Sequence, residues 1–442
     1  MKLVWNAVWL MTLMTLMASL RLAAQTGVAP GAATIFGESS LNQQAPNTLV
    51  LGSGTGISYD SNALNSQPYM TNVQYTFYPL IGLKVARPRW GAVLTFSPGL
   101  AYSSANLPQY QAVSLTSTVG FTYQASARLS FKVSNNFVSS SNPFDSLTAS
   151  STTGQGPTNA GSSSVANYLP RTNELAVVDA AYGLSAQTSL VASTSFNYLS
   201  YQHNSDIPDS AQPFRTSTST QASVGLSYSV SPKYSESVQY VAQLLSAGQG
   251  VIKTLGQSIQ YGLVYAPSSG LKISGMIGPE HVQNTYAFTA GDGNVGSLIQ
   301  ENASGWTWTG NFAVSKTVGT NQLSASASSQ LTTGTQYQGN VRETTFEADF
   351  KKRLAGKTDL VVFGSYNINK PVFLAQLAPR LSNDYASTGV TLNKTIADHW
   401  VVGCAYWYLF QNSPQNGQQV YAGDHNRAAI SLTYSLTRSL AR

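Results

Sequence analysis

Apolar and polar positions alternate along most of this chain. Trp90, Ala92, Leu94 and Phe96 take the even positions of one stretch. In another, Val113, Leu115, Val119, Phe121 and Tyr123 are odd, and Ser, Thr or Gly fill the even positions. A period of two belongs to the β-strand, whose successive side chains point to opposite faces. About 18 such spans follow one another, from 48–60 and 71–84 through 270–279 and 304–317 to 400–411 and 425–438. Most are slightly longer than the roughly 9–11 residues with which a tilted strand crosses a bilayer.

The connections alternate in length. Arg87-Pro88-Arg89, Ser231-Pro232-Lys233, Gly319-Thr320, Ala355-Gly356-Lys357 and Ala397-Asp398-His399 are tight turns of turn-forming residues. Between them lie the longer segments 139–170, 203–214, 280–303, 370–383 and 412–424. Short periplasmic turns and long extracellular loops are the barrel arrangement, and an even strand number puts both termini on the short-turn side. The pattern predicts an all-β fold: a transmembrane, antiparallel, up-and-down β-barrel of about 16–18 strands over residues 48–442.

Composition supports a sheet with lipid on one side and water on the other. Charged residues make up 10% of the chain, against roughly 25% in a typical soluble domain. Among the aromatics, Tyr69, Tyr75, Tyr78, Trp90, Tyr102, Tyr198, Tyr201, Tyr228, Tyr234, Trp306, Trp308, Trp400 and Tyr408 fall near strand ends. Rings with a polar handle suit the two lipid–water boundaries, where girdles are expected.

Met1-Lys2, the apolar run Leu3 to Leu20 and the small residues of Leu22-Ala23-Ala24 read as a cleaved signal peptide, 1–24, followed by a short periplasmic tail, 25–47. Losing Lys2 and Arg21 lowers the 24 basic groups to 22 against 18 acidic ones. That excess is too mild to imply nucleic acid. Cys404, the sole cysteine, shares a face with Val402, Tyr406, Tyr408 and Phe410, which makes it a lipid-facing filler. His203, His281, His399 and His425 have no metal-ligand spacing. No phosphate-binding loop or nucleophile elbow is present, so neither cofactor, metal nor enzymatic activity is expected. His203 with Asp206 and Asp209 is the one hydrolase-like trio, loosely spaced in a loop.

Assigning the bulkier set of each strand to lipid leaves a hydroxyl-rich lining. Over 215–230 it is Ser217, Ser219, Gln221, Ser223, Gly225, Ser227 and Ser229, and over 321–333 it runs from Gln322 to Thr332. Short hydroxyl side chains cannot fill a barrel of about 16–18 strands, so the interior is expected to hold water. One strand departs from this. Phe346, Ala348 and Phe350 face lipid, which turns Glu343, Glu347, Asp349, Lys351 and Arg353 inward as a polarised patch. Lys132 and Asp179 face inward beside the 139–170 loop. These seven charges are the candidates for setting ion preference through the local field. The two ends also differ: Lys84, Arg87, Arg89, Arg128 and Lys233 lie near short turns, and Asp60, Asp145, Asp206, Asp209, Glu280, Asp292 and Asp424 near long loops.

The mature chain resembles, over its whole length, the porin-like outer-membrane barrels of Gram-negative bacteria. Tyr434 and Leu436 stand where such barrels carry an alternating, aromatic-ended assembly signal, here with a short tail behind. In general porins the loop at the place of 139–170 folds inward; Asn142-Pro143-Phe144-Asp145 and its Ser/Thr/Gly run lack the acidic cluster typical there. The chain also looks like barrels found beside exopolysaccharide export systems. The resemblance implies the cell outer membrane, contact with lipid and lipopolysaccharide, and passive diffusion of small hydrophilic solutes. An export barrel working with a periplasmic partner and a structural or adhesive surface barrel are the alternatives, and a homo-oligomer fits any of them.

Overall fold

The structure is a computed structural model that describes residues 47–62, 71–104, 113–140, 171–201, 216–247, 252–268, 270–290, 297–333, 340–371, 383–412 and 423–440. The expected signal peptide, most of the expected tail and the 141–170 segment fall outside these residues.

Eighteen strands run in chain order: β1 (Thr48–Asp60), β2 (Asn72–Ala86), β3 (Trp90–Ser103), β4 (Val113–Gln124), β5 (Leu129–Ser140), β6 (Arg171–Gly183), β7 (Thr188–Tyr201), β8 (Ser217–Ser231), β9 (Tyr234–Ala247), β10 (Ile252–Ser268), β11 (Leu271–Ala290), β12 (Ser297–Val318), β13 (Asn321–Thr333), β14 (Asn340–Leu354), β15 (Thr358–Pro371), β16 (Asn383–Ala397), β17 (Trp400–Asn412) and β18 (Gly423–Ser439). Each pairs antiparallel with its chain neighbours. β1 closes the sheet on β18, from Thr48 opposite Ser439 to Asp60 opposite Arg427. Closure removes both sheet edges, which is what allows a strand structure to stand in lipid, where a bare N–H or C=O has no partner. At the three-residue β14–β15 turn, between Leu354 and its partner Thr358, Gly356 (φ 70°) and Lys357 (φ 58°) both take positive φ, the left-handed conformation in which tight hairpin turns reverse the chain.

The alternation sorts side chains as the sequence predicts. On β8, Leu226 is 50% exposed on the outside, and Ser227 points inward between Ser189 and Ser237. Cys404 and Tyr406 face out. Aromatic rings gather at the two ends of the outer surface. Trp90 with Phe121 (6.3 Å), Tyr234 with Tyr265 (6.4 Å) and Trp400 with Tyr434 (5.1 Å) mark the short-turn end. Tyr75 with Tyr102 (6.4 Å) and the exposed Trp306 and Trp308 mark the other. Two expected girdle members belong elsewhere. Tyr78 is buried inside, lying over Gly54, and Tyr201 stands opposite the buried, inward Arg171. Both occupy the inward phase of their strands, which nearness to a strand end does not reveal. Tyr69 lies outside the described residues.

Most of the expected 280–303 loop is strand. β11 and β12 pair from Leu271 opposite Lys316 to Ala290 opposite Ser297. The described inward residues of β11 here, Glu280, Val282 and Asn284, are buried, and with two polar ones among them they form no apolar alternation that would announce a strand.

The wall has one weak seam. β12 and β13 pair only from Val318 opposite Asn321 to Gly310 opposite Ser329, although both strands continue. Trp308 stands about 25 Å above the turn, taking about 3.3 Å per residue and a tilt near 40°. That is the outer border of the apolar band, so the ladder stops where water again solvates an open edge. Past this point β13 parts from β12 while β14 stays paired to β15 as far as Val341 opposite Pro371, and the β13–β14 hairpin reaches β8, β9 and β10.

Candidate functional site

The barrel interior is the candidate site, and it changes character with height. In the outer half, inward side chains are buried on strand after strand: Gln74 on β2, Leu175 on β6, Leu245 on β9, Tyr385 on β16, His425 on β18. In the short-turn half the lining is open. There, between β3 and β9, a cavity of about 650 Å³ is lined by Gln124, Ser130, Lys132, Asp179, Ser193 and Gln239, among others. The interior is expected to hold water; among the described residues the open lining lies in this lower half.

The lining is also less uniformly polar than the alternation suggests. Three buried apolar groups face inward: Val50 with Tyr78 and Leu80, Leu245 with Val282 and Leu331, and Tyr385 with Trp407 and Leu409. On β9 and β17 both faces carry bulky residues, so giving the bulkier set to lipid hides the apolar inner one, whereas Leu331 comes from the nominal lipid face of β13. Backbone space makes room for them. A Cβ on Gly389 would lie 2.6 Å from the Phe363 ring and 2.7 Å from that of Trp407.

The acidic row on β14 lies on the inner face, each carboxylate with a hydrogen-bond donor. Glu343 is buried and accepts from Tyr385 Oη at 3.2 Å. Glu347 accepts from Ser326 Oγ at 3.4 Å, and Asp349 from Ser324 Oγ at 3.2 Å. Below them Lys351 continues the row, and Arg353 is joined to Asp359 by two bonds of 2.9 and 3.3 Å. Lys132 and Asp179 are directly opposite one another in the β5–β6 ladder, where Asp179 also accepts from Ser193 Oγ at 2.7 Å. β5 and β6 lie halfway round the ring from β14. The structure thus brings the β14 charges together and sets the Lys132–Asp179 pair on the facing wall.

Three inward charge groups were not foreseen. Asp60 and Glu280, expected beside loops, are both buried on the inner wall. Asp60 Oδ1 lies 3.4 Å from His425 Nδ1, and Glu280 is bound by Arg342. Arg427 donates to Ser58 Oγ (3.0 Å) and Gln74 Oε1 (3.2 Å), with its guanidinium 5.8 Å from the Trp407 ring. The signal for Asp60 was available: it shares the inward parity of Ser58. Arg342 has the outward parity of Phe346, so parity alone misplaces it. Asp145, Asp206, Asp209 and Asp292 of the expected acidic loops, and His203, lie outside the described residues.

No protein-family model matches the chain, and no curated protein matches it. Among solved structures, it is similar to Pseudomonas aeruginosa OpdQ, at a TM-score of 0.42 and 10% identity over 89% of this chain and 100% of that one. It is similar to Pseudomonas aeruginosa OpdK with vanillate at 0.43 and 10%, over 88% and 99%. With Acinetobacter baumannii OccAB2 the values are 0.43 and 10%, over 88% and 98%.

Proposed function

We propose that the protein is a porin-like outer-membrane channel through which small hydrophilic solutes diffuse passively. The observation that carries this reading is a closed ring of 18 strands whose lower interior keeps an open cavity of about 650 Å³, with Gln124, Lys132, Asp179, Ser193 and Gln239 in its lining. Barrels of this size are too wide to be closed by wall side chains alone. Lipid and lipopolysaccharide surround the apolar belt in this reading, and no catalytic step is part of it.

The lining of Ser, Thr, Gln and Asn gives neutral solutes no fixed partner, so permeation of small sugars follows their size. Glu343, Glu347 and Asp349 add a negative field on one wall, opposed nearby by Lys351 and Arg353 and across the lumen by Lys132. The net effect is a weak cation preference. Refolded protein in a planar bilayer tests the reading: stepwise conductance is expected, and swelling of loaded vesicles should slow as the sugar grows. A correctly folded barrel that never conducts overturns it.

A further inference from the structure

We infer that the outer end of the β13–β14 hairpin is the constriction of the pore, and that Arg342 is the positioning residue that holds it inside the lumen. The inference rests on the channel reading above. Leu331 and Arg342 are cross-strand partners on the hairpin face that, by parity, should meet lipid. Yet Leu331 is 1% exposed and packs against Leu245 of β9 and Val282 of β11, both inward residues. The hairpin has therefore turned its nominal lipid face onto the inner wall of β9–β11.

On one side the sheet holds it, since β14 stays paired to β15 as far as Val341 opposite Pro371; on the other side the ladder to β12 ends at Gly310. Arg342 replaces it. One guanidinium nitrogen donates to the Trp308 carbonyl on the open edge of β12 at 2.8 Å, and the other binds the Glu280 carboxylate. A planar fork can serve both acceptors at once; an ammonium, a compact point charge, has no matching geometry. The receiving wall is shaped for the hairpin. A Cβ at Gly256 would lie 2.8 Å from both Glu280 Oε1 and Leu331 Cδ1, so glycine stands where the hairpin docks. The upper part of β9–β11 is thereby covered, and the other hairpin face, with Glu343, packs on Tyr385 of β16. Arg342 sets the largest solute admitted without touching it.

The experiment has two arms, both on the full-length barrel, with folding checked by heat-modifiable migration. In bilayers, R342A should raise unit conductance about twofold and admit larger polyethylene glycols, since conductance follows the open cross-section. R342K should fall between R342A and wild type, and E280R combined with R342E should return conductance and size limit towards wild type. In the second arm, L245C with L331C in a C404S background should be joined by a short bifunctional thiol reagent in native membranes. A conducting wild type with an unchanged R342A overturns Arg342 as the size-setting residue. Failure of the thiols to join overturns the placement of the hairpin. A wild type that joins but never conducts overturns the channel reading instead.

Discussion

Gln243 of β9 donates its Nε2 hydrogen to the carbonyl oxygen of Leu331 on β13 at 3.2 Å, a hydrogen bond across the lumen between strands that are not neighbours in the sheet. A carbonyl that has left its β12 partner needs another, and a buried one without it costs about 1–3 kcal/mol. Gln243→Leu should therefore lower stability by about that amount, with the native migration on gels retained. Urea unfolding in lipid vesicles measures it, and an unchanged midpoint would mean that this bond contributes nothing net.

Strand phase is testable on one dipeptide. Leu226→Arg puts a cation on the lipid face, at a cost of about 2–4 kcal/mol near the bilayer midplane, and should impair assembly. Ser227→Arg points into water and should be tolerated. Equal damage at both positions, scored by heat-modifiable migration, would contradict the assigned faces.

Cys404 offers an independent check of the same point. Its exposed thiol faces lipid, so it should react in native membranes with an apolar maleimide and resist a charged, membrane-impermeant thiosulfonate. Rapid reaction with the charged reagent would place it in water.

Selectivity depends on the β14 carboxylates. Glu343→Gln with Glu347→Gln should lower the cation/anion permeability ratio, most visibly at low salt, where the screening length is longest. Because Glu343 is buried and bound by Tyr385 whereas Glu347 and Asp349 sit lower on the wall, Glu347→Gln with Asp349→Asn should lower the ratio further. Reversal potentials across a salt gradient report it directly, and an identical ratio in both double variants removes these groups from the mechanism.

Strand number, order and facing were legible because each rests on a local rule: a period of two, turn residues, and a closed sheet that keeps neighbours adjacent. The inward row from Glu343 to Arg353 followed from that rule alone. What parity could not convey is departure from the wall. Leu331 and Arg342 read as lipid-facing because the ladder that would keep them so stops at Gly310, and nothing within a few residues of Gly310 encodes the stop. The buried Asp60–His425 contact joins opposite ends of the chain and is likewise invisible to local pattern. Inward apolar residues such as Leu245 and Trp407 were missed because their strands are bulky on both faces.

The contact between β1 and β18 also has a consequence in time. These strands are the first and last of the barrel to leave the ribosome, and every residue from Thr48 to Asp60 has its partner there. Until residues 423–439 have been made and delivered, the other seventeen strands carry two raw edges that hydrocarbon cannot solvate. Release into the bilayer must therefore wait for β18. A chain cut short before its last strand should stay with whatever guides it to the membrane and be degraded there, rather than insert as a leaky partial ring.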